Sequence, residues 1–241
     1  MTAARRVGDP LILALDVSEW ERLEALAEMV RGEVETVKVG LEAYTRFGPV
    51  LFREMRERGF RVFADLKLHD IPNTVSGAVR ALARWRVDML TVHLCGGRKM
   101  LEAAVRAAHE NGGRAGGTPL LIGVTVLTSL EDGDLEEMGW RGGVSEIVLR
   151  LARMGVSCGL DGLVCSPAEV AELRRELGEG PLLVTPGIRL QGAETHDQAR
   201  TATPGAALRA GADYLVVGRA VTGQPRPLEA LRALRREIGL S

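Results

Sequence analysis

The sequence predicts an α/β chain folded as a single-domain (β/α)8 TIM barrel, and three observations carry that expectation. Short apolar, β-branched runs recur eight times along the chain. Amphipathic stretches of helical period separate many of them. Eight such units within 241 residues also match the usual size of this barrel. Near-continuous apolar strands alternating with helices imply a parallel sheet covered on its helical side. A doubly wound sheet would usually place a glycine-rich fingerprint after the first strand, and Asp16-Val17-Ser18-Glu19 is not one.

The first strand is read over Leu11–Val17, with Ser18 capping a helix over Glu19–Val30. In that helix Leu23, Leu26, Ala27 and Val30 form the i, i+3, i+4, i+7 stripe that packs on a sheet. The second strand is Thr36–Leu41, and the charged run Arg53 to Arg58 is a solvated helix face. The third is Arg61–Leu68, after which Pro72 opens a helix reaching Trp85. Strand four, Met89–Leu94, leads to a helix over Arg98–Glu110. Strand five, Leu120–Leu127, is followed by a turn at Gly139–Gly143 and a helix over Val144–Met154. Strands six to eight are Gly162–Ser166, Leu182–Ile188 and Tyr214–Gly218, with helices over Pro167–Leu177 and Pro227–Ile238. Residues 1–9 read as an N-terminal tail, and no linker or low-complexity tract marks a second domain.

Composition narrows the function classes. The formal net charge is −1, and no basic block or aromatic ladder suggests a nucleic-acid partner. Cys95, Cys158 and Cys165 are odd in number and lack CxxC spacing, which argues against a disulfide framework and a thiolate zinc site. The apolar runs Leu11 to Leu15 and Leu120 to Leu127 are too short for a signal peptide or a membrane span. A cytoplasmic protein with no membrane partner is expected. Trp20, Trp85 and Trp140 read as packing anchors, and His69, His93, His109 and His196 receive no chemical role.

The lysines are the informative residues. Of the 31 basic residues only Lys38, Lys67 and Lys99 are lysines, and the first two sit inside apolar strand-like runs. Arginine cannot give up a proton at useful pH, whereas a lysine ammonium is compact and tunable. Asp65 and Lys67 are two apart, so on a strand both project from one face. Opposite charges aimed into an interior must pair, and such pairs cluster at functional sites; a structural ion pair at a strand end is the alternative. In this barrel chemistry sits at the C-terminal strand ends. Asp16, Lys38, Asp65, Lys67, Thr128, Arg189 and Arg219 all fall at or just beyond such ends.

The last two strand–helix junctions read Thr185-Pro186-Gly187-Ile188-Arg189 and Val217-Gly218-Arg219. Loops after strands seven and eight of this architecture commonly hold a phosphate. Gly218 lets backbone approach an anion, and both arginines supply charge-assisted forks. The polar stretch over 189–205 reads as a mobile lid on the phosphate side.

Together these residues resemble one family. Asp65-Leu66-Lys67-Leu68-His69-Asp70-Ile71-Pro72-Asn73-Thr74 is similar to the signature of the orotidine 5′-monophosphate decarboxylases. Asp16, Lys38, Thr128, Arg189, Gln198 and Gly218-Arg219 follow as further anchors in the right order, from Leu11 onward. The resemblance implies a homodimeric barrel that converts orotidine 5′-monophosphate to UMP and needs no metal or organic cofactor. It implies that Lys67 donates the proton to C6 and that Asp65 lies near the departing carboxylate. Lys38 would bridge Asp65 and the ribose. Asp70, with Ile71 and Thr74, would reach the partner's site and complete a Lys38–Asp65–Lys67–Asp70 array. Asp16 would bind a ribose hydroxyl and Thr128 the pyrimidine edge, while Arg189, Gln198, Gly218 and Arg219 would hold the phosphate. The chain departs from the family pattern at Leu94-Cys95, where a small pair is usual, at Ala199 for lysine and at Ala220 for proline.

Three rivals remain at this stage. A metal-dependent barrel acting on a sugar phosphate would stabilise an enediolate with a divalent cation. A non-catalytic phosphate sensor would keep the arginines but has no use for the internal Lys–Asp alternation. An isomerase would want a carboxylate base without paired lysines.

Overall fold

The computed structural model describes residues 8–110, 118–189 and 202–240. Eight parallel strands close into a barrel in sequence order: β1 (Leu11–Ala14), β2 (Thr36–Val39), β3 (Arg61–Leu68), β4 (Met89–His93), β5 (Leu120–Val124), β6 (Gly162–Val164), β7 (Leu182–Thr185) and β8 (Tyr214–Val217). The circle is completed by β1 pairing with β8. Around it lie α1 (Trp20–Met29), α2 (Leu41–Phe47), α3 (Val50–Glu57), α4 (Pro72–Arg84), α5 (Gly97–His109) and α6 (Asp132–Glu137). The outer ring continues with α7 (Val144–Ser157), α8 (Val170–Leu177), α9 (Pro204–Ala210), α10 (Arg219–Thr222) and α11 (Pro227–Glu237).

Alternation along each strand divides the apolar residues between two cores. Ile12, Phe63, Met89, Ile122, Val184 and Tyr214 fill the barrel interior. The opposite phase, with Leu13, Val37, Val62, Leu90 and Leu215, packs against helix residues such as Leu23, Phe52, Met55 and Ile147. Trp20, Trp85 and Trp140 sit partly buried on this outer core as packing anchors.

Several boundaries differ from the sequence reading. Strands one, two, five, six and seven stop two or more residues early, at Ala14, Val39, Val124, Val164 and Thr185. At the C-terminal rim the chain leaves the ladder to turn side chains into the mouth. Ser18 does not cap the first helix; Glu19 holds the cap position without a side-chain hydrogen bond. The segment after strand two forms two helices, α2 and α3, broken where Gly48 takes φ +69° before Pro49. Leu94, unusual in the family pattern, is fully buried. Its Cδ2 lies 2.7 Å from where a Cβ would stand at either Gly123 or Gly155, so those two glycines make its room.

The N-terminal end of the barrel is tied by a repeated device. Asp88, Asp161 and Asp213 each precede an even-numbered strand. Each donates its own N–H to the carbonyl of the preceding odd strand, Val62, Leu121 and Leu183 respectively. Each carboxylate in turn accepts the N–H of that same residue, at 2.8, 3.0 and 2.8 Å. Strand-start amides that would otherwise face a buried end are thereby satisfied. Asp213 also receives Arg174 Nη2 at 2.6 Å, and both side chains are nearly buried. Removing one partner of a buried pair strands the other. Asp213→Ala is therefore expected to destabilise the fold by about 3–5 kcal/mol in equilibrium urea unfolding.

Candidate active site

The long strand β3 carries three inward steps: Phe63 in the inner core, then Asp65, then Lys67 at the mouth. Asp65 is buried, and its two oxygens are taken from different sides. Lys38 Nζ on β2 lies 3.0 Å from Oδ2, while Lys67 Nζ donates to Oδ1 at 2.9 Å. Burial alone would push the Asp65 carboxyl up, but the two ammonium charges and their hydrogen bonds outweigh it and hold the group below its ordinary value.

Lys67 does not continue a regular strand. Ala64 pairs with Leu90 and Leu68 with Val92, so β3 advances four residues while β4 advances two. The extra residues form a bulge, and Lys67 takes φ +48°. A left-handed conformation on a non-glycine residue costs on the order of 1–3 kcal/mol, so the surroundings must hold it. Thr91 on β4 accepts the Lys67 N–H at 2.8 Å and donates to Asp65 Oδ1 at 3.1 Å.

Above this array opens a cavity of about 500 Å³. It is lined by Asp16, Lys38, Asp65, Lys67, Thr128, Arg189, Gly218 and Arg219, among others. Eight residues expected at the mouth from six different strand ends thus share one space. Asp16 is oriented by the Ala43 N–H at 2.9 Å, where α2 begins its first turn. Gly40 allows this approach, because a Cβ there would stand 2.1 Å from Asp16 Oδ2. Across the cavity Pro186 and Gly187 make the turn after β7, with Gly187 at φ +80°. Arg189 follows and is buried. Among the described residues a Cβ at Gly218 would meet only Ala14, at 3.6 Å, so their packing does not demand glycine there. Backbone access from the cavity is what glycine provides at this position.

Asp70, Ile71 and Thr74 lie on the exposed rim and do not line the cavity. Asp70 Oδ1 accepts the Ile71 N–H at 2.6 Å, and the Ile71 side chain is 66% exposed. Gln198 and Ala199 fall outside the described residues, as does most of the expected lid. The two described ends of that segment are pinned together: Arg189 N–H donates to Ala202 O at 3.0 Å and Ala202 N–H to Gly187 O at 3.2 Å.

Sequence reasoning missed three features. Thr91 carries no motif, yet its place two residues beyond an inward Met89 could have marked it as an inward polar group. The imidazoles of His69 and His93 stack beside Lys67 with ring centroids 5.3 Å apart. His93 Nδ1 accepts the Cys95 N–H at 3.4 Å, and burial, His69 and Lys67 all disfavour its protonation. Glu42 also reaches the cavity, from the first turn of α2. The three cysteines are free, and burial pushes the Cys165 thiol up to about 12, leaving it chemically inert at neutral pH.

The chain matches the family described as Orotidine 5'-phosphate decarboxylase / HUMPS over residues 9–234. It belongs to this family. Relatives named orotidine 5′-phosphate decarboxylase include one from Halorhodospira halophila, 49% identical over 232 residues, 96% of this chain and 97% of the relative. Another, from Coxiella burnetii, is 45% identical and covers 95% of this chain and 97% of its own length. A crystal structure of orotidine 5′-phosphate decarboxylase from Lactobacillus acidophilus superposes with a TM-score of 0.84 at 36% identity, covering 95% of this chain and 99% of that one. Family membership and the names of these relatives agree on an enzyme, a decarboxylase.

The charge balance at Asp65 has a pH signature. A carboxyl held below its ordinary value adds stability above the unfolded aspartate value and loses it as pH falls through the folded one. The stability difference between this chain and Asp65→Asn is therefore expected to be largest near neutrality. It should shrink as pH drops below the ordinary aspartate range, in urea unfolding at stepped pH.

Proposed function

We propose that the chain decarboxylates orotidine 5′-monophosphate to UMP and carbon dioxide in de novo pyrimidine synthesis. The observation that carries this reading is the Lys38–Asp65–Lys67 array facing the same cavity as Arg189, Gly218 and Arg219. One end of the site suits a developing negative charge, and the other suits a phosphate.

Loss of carbon dioxide from C6 leaves an electron pair on an sp² carbon with no adjacent π system to delocalise it. A pre-positioned ammonium stabilises that charge without the reorganisation that water would need. Lys67 then delivers the proton that replaces carbon dioxide, acting as stabiliser and general acid. Asp65 keeps Lys67 aimed, and Lys38 holds the opposite oxygen of Asp65 while offering its ammonium to the ribose. Asp16 takes a ribose hydroxyl and Thr128 the pyrimidine edge. Arg189, Gln198, Gly218 and Arg219 hold the phosphate, whose remote binding energy orders the site. A homodimer would bring the partner copy's exposed 70–74 rim over this mouth, adding an acidic group beside Lys67 and an apolar cover. No metal or organic cofactor is required by this route.

A metal-dependent sugar-phosphate reaction is the other reading. It is disfavoured because the Asp65 oxygens are already engaged by ammonium groups at 2.9 and 3.0 Å, which repel a divalent cation. Loss of the orotidylate chromophore, followed with and without chelator, separates the two; equal rates are expected. Lys67→Ala should lower kcat by at least about 10⁴-fold while UMP binding stays measurable by calorimetry. Substantial residual turnover would remove Lys67 as the proton donor. Arg219→Ala should raise KM and lower kcat/KM by about 10- to 100-fold, and steady-state kinetics with unchanged kcat/KM would exclude it from the phosphate site.

A further inference from the structure

Resting on the decarboxylase reading, we propose that Thr91 is a positioning residue for the reaction, holding both members of the Asp65–Lys67 pair through a single hydroxyl. Thr91 is fully buried and does not line the cavity, so it reaches a substrate only through its neighbours. On β4 it stands between Met89, inside the barrel, and His93 at the rim, while Leu90 and Val92 face the outer core. Its main chain is paired with Ile122 of β5, which anchors the hydroxyl from the far side.

The bulge in β3 explains why such a group is needed. With the register shifted between Ala64 and Leu68, the Lys67 N–H meets Thr91 Oγ1 at 2.8 Å rather than a backbone carbonyl of β4. The same oxygen spends its only hydrogen on Asp65 Oδ1 at 3.1 Å. One hydroxyl therefore accepts from the backbone of the proton donor and donates to the carboxylate that aims it. Oδ1 also receives Lys67 Nζ at 2.9 Å, so a swing of this carboxylate would move the ammonium with it. The charged groups facing Asp65 are Lys38 from β2 and Lys67 from β3, and Thr91 is the neutral donor from β4. An apolar residue of the same shape would leave a buried amide without an acceptor and a carboxylate with one donor fewer.

The test compares Thr91→Val, which keeps shape, with Thr91→Ser, which keeps the hydroxyl. Thr91→Val is expected to lower kcat by roughly 10- to 100-fold with KM changed by less than about threefold, since small misplacements of reacting groups act on turnover. The acid limb of its kcat/KM profile should move to higher pH, because the lost donor had favoured ionised Asp65. Thr91→Ser should restore kcat to within about threefold of the parent. Wild-type kcat and an unmoved acid limb in Thr91→Val would overturn the proposal, and so would a Ser variant as impaired as Val. Should Thr91→Val not fold, Thr91→Cys, a weaker donor of similar size, is read by the same two measures. A parent protein that does not consume orotidylate would instead defeat the decarboxylase reading itself.

Discussion

A buried carboxylate with an ammonium on each side is the constraint from which the rest of this molecule follows. Asp65 lies in the interior of a closed barrel, where an unpaired charge would be expelled or neutralised. It stays ionised because Lys38 and Lys67 each contact one of its oxygens, and their charge outweighs the cost of burial. The carboxylate in turn fixes two ammonium groups that would otherwise repel each other. Neither side of this arrangement is stable in its place without the other.

The barrel supplies what that arrangement needs. Strands β2, β3 and β4 deliver Lys38, Asp65 with Lys67, and Thr91 from neighbouring positions on one wall. On the opposite wall the turns after β7 and β8 bring Arg189, Gly218 and Arg219 to the same cavity. Stability and reactivity are kept at different ends. The aspartate collar of Asp88, Asp161 and Asp213 ties the strand starts together, while the bulge and the left-handed Lys67 lie at the strand ends. Strain at the mouth is offset by the hydrogen bonds of this collar at the base.

Much of this was legible in the residues. Eight apolar runs located all eight strands, because strands buried on both faces must be nearly continuous in hydrophobicity. Two lysines inside such runs marked the wall of the site, since a charge there needs a partner of opposite sign. Helices α2 and α3 were harder to see, because the turn between them rests on Gly48 and Pro49 within a short segment. Leu94 looked like a misfit, and only the glycines across from it, at positions 123 and 155, explain its size.

Sequence alone determined the barrel, the strand order and the identity of the charged residues, because hydrophobic period and strand spacing are local properties of the chain. It could not reveal that β3 slips against β4, or that Thr91 fills the gap this slip leaves. Register is decided between strands, by which hydrogen bonds the whole sheet can satisfy at once, and no single run of residues encodes it. The stack of His69 on His93 is of the same kind: two unremarkable histidines on separate segments become neighbours only when β3 and β4 lie side by side.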